Sequence, residues 1–323
     1  MTPGSKNGNS LKKQFSNSES FRLCTEGLQA LERFERRASR SDLELAENRL
    51  GECVRLYPGD ILPKFYLGSV KTLVGYRGLG EAVTLLSEVA ERGRGDLKAS
   101  AQYNLAVARI EQYESESAKL AKDLLAPLAE QQPNESWVKW SARVNLLYLR
   151  AEEVWKQRKS KSPDPAVFAS ISSLVSEFER FDDEVQGSAF RYDADILADY
   201  WNALGTLFEA RAWLTESGGG EFADQARKAY EKALGLKSDW VAATSNLARL
   251  YQERFNDPET ARRLWQEVLK VRPDDEYAHY NLGLIDLQAG NREKAREHFQ
   301  KAPEIDKAAA ELKRLDEEPF PQR

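Results

Sequence analysis

The chain has 323 residues, 41% hydrophobic and 31% charged, which is apolar enough to fold and charged enough for an architecture with much surface for its volume. Its 47 Lys and Arg against 52 Asp and Glu leave a net charge of −5, which argues against a broadly basic face for phosphate backbones. Two cysteines, two histidines and no CxxC argue against four-ligand zinc, and no run reaches the ~18 apolar residues of a membrane span.

In chain order, Met1 to Ser18 is small and polar, with no apolar stretch after its basic residues. It is expected to be a disordered tail (1–18) and not a Sec-type signal. Cys24 and Cys53 are expected to be free, as small core hydrophobes in a reducing compartment, which favours a cytoplasmic location. Apolar spacing then predicts helices near 20–38 and 42–57, 61–75 and 79–92, 97–112 and 116–131, and 136–158 and 165–183. Further pairs fall near 190–215 and 221–236, 240–254 and 258–271, and 275–288 and 292–302, with a last helix near 304–316. The cluster Gly75-Tyr76-Arg77-Gly78-Leu79-Gly80 is not GxGxxG and follows a helix, so it reads as a loop and not a phosphate cradle. The polar, proline-bearing stretch at 159–165 predicts a hinge between an N-terminal block (19–158) and a C-terminal block (166–316) that ends in a cap helix, with a frayed tail at 317–323.

Two echoes recur. Ala101-Gln102-Tyr103-Asn104-Leu105-Ala106 matches Ala278-His279-Tyr280-Asn281-Leu282-Gly283, with Ser245-Asn246-Leu247-Ala248 a third copy and Leu204-Gly205 and Leu67-Gly68 weaker ones. The second echo is a small residue, an apolar one four later, another three later and proline five later: Ala46, Leu50, Cys53 and Pro58; Ala121, Leu125, Leu128 and Pro133; Ala261, Trp265, Val268 and Pro273. Ala226, Tyr230 and Ala233, and Ala295, Phe299 and Ala302, follow it without the proline. Small residues let two antiparallel helices approach, the large ones fill the gaps between units, and proline ends the second helix.

With Trp201, Leu204, Gly205 and Phe208 on the first helix and these partners on the second, the pattern resembles the tetratricopeptide repeat, most clearly from Asp193 onward. Leu247 to Leu282 is 35 residues, near the family's unit length; Asp286 stands where its aromatic belongs. The resemblance implies an all-α, right-handed superhelical solenoid of antiparallel helix pairs, and a scaffold or adaptor that binds a protein or peptide segment in its concave groove. It places Asn104, Asn246 and Asn281 at positions that hydrogen-bond a bound peptide's backbone, which an amide can do as donor and acceptor. The same asparagines can equally bond within the solenoid. Helical spacing adds Asp199, Asn202, Ser245, Arg249, Tyr277, Tyr280 and Leu284 to the groove face. Ala242 and Tyr277 stand where a carboxylate clamp for chaperone tails would need basic residues.

No catalytic, cofactor or metal site is expected, and neither histidine has an obvious nucleophile beside it. A self-associating structural subunit, and so a homo-oligomer, is the competing reading. An RNA-binding repeat would want a basic groove, which Asp199 and Asp286 oppose. Neither a nucleic-acid nor a membrane partner is expected.

Overall fold

The computed structural model describes residues 19–37, 39–112, 114–133, 136–157, 165–215 and 219–317. The expected tail at 1–18, nearly all of the expected hinge at 159–165 and all but the first residue of the expected C-terminal tail at 317–323 lie outside these residues. The described residues form fifteen α-helices and no strand. These are α1 (Glu19–Arg37), α2 (Arg40–Leu56), α3 (Ile61–Val74), α4 (Tyr76–Arg92), α5 (Gly95–Ile110), α6 (Ser115–Gln131), α7 (Trp137–Lys156) and α8 (Pro165–Gln186). They continue with α9 (Ala194–Leu214), α10 (Gly219–Leu236), α11 (Val241–Leu250), α12 (Pro258–Val271), α13 (Glu276–Gln288), α14 (Arg292–Gln300) and α15 (Asp306–Glu317). Apart from α8, successive helices pack against one another as stacked hairpins, giving an all-α solenoid of helix pairs. No helix among the described residues is long and apolar enough to cross a membrane.

Local chemistry sets where the helices begin and end. Asp60, Asp193, Asp257 and Asp275 cap α3, α9, α12 and α13, each carboxylate accepting from a backbone N–H of the first turn at 2.9–3.1 Å. Pro258 then occupies the first turn of α12, where its missing N–H costs nothing. Helices α2, α6 and α12 each stop two residues before Pro58, Pro133 and Pro273. After α11 the backbone widens into a π turn over Tyr251–Phe255 and leaves through Asn256 at φ 49°.

The two echoes are the two sides of the hairpin contacts. A Cβ at Gly205 would lie 2.6 Å from the Tyr230 ring, and one at Gly283 would lie 2.5 Å from the Phe299 ring. Helices α9 and α10, and α13 and α14, can close to this distance only because no side chain stands there. The large partners Leu50, Leu125, Tyr230, Trp265 and Phe299 are fully buried, and each such side chain contributes about 1.5–3 kcal/mol. Helix α4 supplies a further set, Ala82, Leu86 and Val89, also fully buried.

Three expectations are corrected. The cysteines are not free: Cys24 of α1 and Cys53 of α2 form a disulfide with Cα atoms 5.5 Å apart, because the hairpin places them face to face. The Gly75–Gly80 stretch is not a loop, since α4 begins at Tyr76. Gly75 makes the turn at φ 93°, and a Cβ at Gly78 would sit 2.2 Å from the Lys71 carbonyl. The middle pair is also irregular: α7 packs chiefly against α9 and less against α8, and residues of all three share one core around Trp140, Phe178, Phe181 and Tyr200.

Candidate functional site: a groove closed by the two ends of the stack

Curvature brings the loop between α12 and α13 back onto the first units. Arg272 donates from Nη1 to Glu111 at 3.2 Å across 161 residues of sequence. Arg40 and Arg77 stand 3.7 and 4.0 Å from Asp274. Behind this clasp lies a cavity of about 460 Å³. Arg40, Leu43, Glu44 and Glu47 of α2 line it, with Leu73 and Val74 of α3, and Tyr148, Glu152, Trp155 and Lys156 of α7. The opposite wall is Val241, Ala242, Ser245, Asn246 and Arg249 of α11, the turn from Val271 to Tyr277, and Glu304 with Ile305. A second hollow of about 380 Å³ shares Tyr148, Glu152 and Lys156 with the first. These three follow one another at four-residue steps, so one stripe of α7 serves both hollows.

The floor is held by a buried polar network. Glu209 of α9 is fully buried. Its two oxygens accept from Arg249 Nε and Nη2 at 3.2 and 3.0 Å, from Trp155 Nε1 at 3.1 Å and from the Tyr230 hydroxyl at 2.9 Å. Helices α7, α9, α10 and α11 are thereby tied at one point. The Arg249 guanidinium also lies 4.2 Å from the Trp155 ring centroid. Burial opposes the charge on Arg249, but the Glu209 carboxylate holds its pKa well above the ordinary arginine value.

The expected groove residues divide. Ser245, Asn246, Arg249 and Tyr277 line the cavity; Asn104, Asp199, Asn202, Tyr280, Asn281 and Leu284 do not. Asn246 Nδ2 donates to Asn202 Oδ1 at 3.0 Å and Asn104 Nδ2 to Ser69 Oγ at 2.8 Å, so each links the first helices of neighbouring units. Asn281 donates to the Tyr277 carbonyl one turn back at 2.8 Å. Tyr277 is 42% exposed and meets Trp265 edge-on at 5.6 Å. Tyr280 and Leu284 pack towards Phe299. Asp199 lies apart; burial, with Asp195 and Asp193 nearby, pushes its carboxyl up to about 7 against the pull of Lys237. The residues that spacing alone did not single out are Tyr148, Glu152, Trp155, Arg272 and Asp274. For Glu209 a signal was present: a lone acid in the apolar helix from Leu204 to Leu214.

The two histidines meet behind the clasp. The Pro273 carbonyl can only accept, so His279 donates to it from Nε2 at 3.0 Å. His279 Nδ1 therefore accepts from His298 Nδ1, also at 3.0 Å. Asp286, buried on α13, pairs with Arg262 at 2.8 Å and lies 3.8 Å from His298 Nε2. That ion pair accounts for the carboxylate at the aromatic position of the pattern. No group of three or more metal-ligating side chains that could hold an ion occurs among the described residues.

Residues 254–316 match the tetratricopeptide repeat family. That stretch is similar to tetratricopeptide repeats. The matched stretch contains the Gly283–Phe299 contact and the Trp265 and Phe299 cores, so the family's small-to-large pairing is built here from those side chains. No match was found among curated proteins. Among solved structures, a tetratricopeptide repeat protein from Parabacteroides merdae is 14% identical, with 90% of this chain and 97% of that chain covered at a TM-score of 0.44. A crystal structure of MamA is 15% identical over 63% and 96% of the two chains at 0.35. A monomeric mutant of IFIT1 with Gppp-AAAA is 14% identical over 92% and 72% at 0.38.

Proposed function

We propose that this chain is a non-enzymatic scaffold or adaptor that takes a segment of another polypeptide into the groove behind the Arg272–Glu111 clasp. The observation that carries this reading is the cavity itself. It is a hollow of about 460 Å³, within the size range of binding sites. It offers apolar and aromatic surface from Leu43, Tyr148, Trp155 and Tyr277 beside backbone and polar groups. Tetratricopeptide repeats commonly serve protein–protein contacts, which supports the class of partner. Asn246 and Ser245 then present polar groups to the segment, and Asn104 and Asn281 act within the solenoid. Self-association through another surface is the competing reading.

The Cys24–Cys53 bond bears on location. Disulfides persist in oxidising compartments, and with both cysteines bonded no free thiol favours the cytoplasm.

The test is cross-linking mass spectrometry on a captured partner, with Ala242→Trp as the control that fills the hollow. Cross-links to α7, α11 and the α12–α13 turn, lost in Ala242→Trp while the helical circular dichroism is kept, support the groove. Cross-links that map outside the groove and survive Ala242→Trp sink it.

A further inference from the structure

The charges that line the groove are unequally satisfied. Arg40, Arg77, Arg249 and Arg272 each have an acidic partner within 4.0 Å. Glu44, Glu47, Glu111 and Asp274 are the acids that answer them or neighbouring lysine. Four lining carboxylates are left with no ion pair among the described residues: Glu152 on α7, and Asp275, Glu276 and Glu304 on the facing wall. The Asp275 carboxylate caps α13, and Glu276 accepts from the Glu304 backbone N–H at 2.8 Å, so the hydrogen bonds to both come from the backbone. On the cation side Lys156 alone is in the same position. The two walls therefore face the hollow with an excess of anionic charge over a floor of Trp155 and Tyr148. Burial raises the pKa of Glu152, Asp275 and Glu276, against the pull of Arg249 and Lys156 on Glu152 and of Arg272 on Asp275.

We infer that the segment taken into this groove is basic, with Lys or Arg side chains directed at Glu152 on one wall and at the Asp275–Glu276–Glu304 edge on the other. This rests on the groove reading above and adds the chemistry of its occupant. A cation between the walls supplies the close ion pair that these carboxylates lack among the described residues, and the low-dielectric hollow strengthens that pairing. The aromatic floor suits the aliphatic stems of the same side chains.

The experiment uses the full chain and three fluorescent peptides of equal length on a Gly-Ser backbone, bearing paired Arg, paired Gln or paired Glu, read by anisotropy. The Arg peptide is expected to bind at least about tenfold tighter than the Gln peptide, with an advantage that shrinks as salt rises. Glu152→Gln with Glu276→Gln, which keeps shape and removes charge, is expected to weaken the Arg peptide about tenfold and leave the Gln peptide unchanged. Equal binding of all three peptides, blocked by Ala242→Trp, overturns the charge inference and leaves the groove reading standing. Arg-peptide binding untouched by both sets of substitutions places the basic site elsewhere and overturns the inference. No binding of any peptide overturns it together with the groove reading, and so does binding of spermidine alone, which would make the hollow a small-cation site.

Discussion

The guanidinium of Arg249 forks onto the carboxylate of Glu209, with Nε and Nη2 3.2 and 3.0 Å from its two oxygens, and both residues are buried. A pair of this kind costs desolvation to form, and removing one member strands the other. Glu209→Ala is therefore expected to lower unfolding stability by about 3–5 kcal/mol in urea titration. Replacing both members, Glu209→Leu with Arg249→Met, should recover part of that loss, because Trp155 Nε1 and the Tyr230 hydroxyl still lose their acceptor. A single substitution with no measurable effect would refute the assigned role of the network.

Gly283 tests the helix contact directly. A Cβ there would meet the Phe299 ring at 2.5 Å. Gly283→Leu should force α13 and α14 apart and lower stability by about 1–3 kcal/mol or more, read as a fall in Tm. Gly283→Ala combined with Phe299→Leu should be milder than Gly283→Leu, because the smaller partner vacates the space.

The disulfide closes a loop of 29 residues between α1 and α2. Loop-closure entropy alone makes it worth about 3–4 kcal/mol. Cys24→Ser with Cys53→Ser, or reductant on the native chain, should shift the urea midpoint down, and reductant should add nothing to the double variant.

The histidine pair gives a pH dependence with a definite sign. Burial lowers the pKa of both His279 and His298 from 6.5, and the positive neighbour Lys301 adds to it in both, while Asp274 and Asp275 oppose it at His279. At His298 the facing His279 and Arg262 also lower it, and Asp286 opposes. A base whose folded pKa is depressed takes up its proton more readily when unfolded. Its contribution to stability is thus complete above about pH 6.5 and falls as pH drops below that value, levelling once the folded pKa is passed. Urea midpoints at about pH 7.5 and about pH 5.5 should differ less in His298→Gln than in the parent chain. Identical differences would rule the pair out as a contributor.

How far the sequence reaches depends on the distance over which a residue finds its partner. Gly205 and Gly283 were legible because the residues they admit, Tyr230 and Phe299, lie in the very next helix, each four residues after a small residue, Ala226 and Ala295. The helix ends were legible because Asp caps and prolines act within one turn. Asn246 could be found by its place in the echo, but its hydrogen bond to Asn202 depends on how two units stack. Arg272 and Glu111 meet only through the summed curvature of the units between them. No local pattern encodes that sum, so the clasp and the carboxylates it encloses were invisible before the fold. The cysteines failed for a related reason: two thiols read as unrelated core residues until the hairpin angle placed them opposite each other.

The clasp also limits how this chain can change in length. In an open solenoid each unit answers only to its neighbours, and a unit can be gained or lost anywhere along the array. Here an additional helix pair between Glu111 and Arg272 would carry the later half of the arc sideways by at least one helix spacing, about 8–10 Å, well beyond the reach of a 3.2 Å hydrogen bond. The count of units inside the arc is thus set by the need to meet at its ends. Growth that spares the clasp is confined to the stretches before α2 or after α13, where the chain can lengthen without parting Arg272 from Glu111 or Asp274 from Arg40 and Arg77.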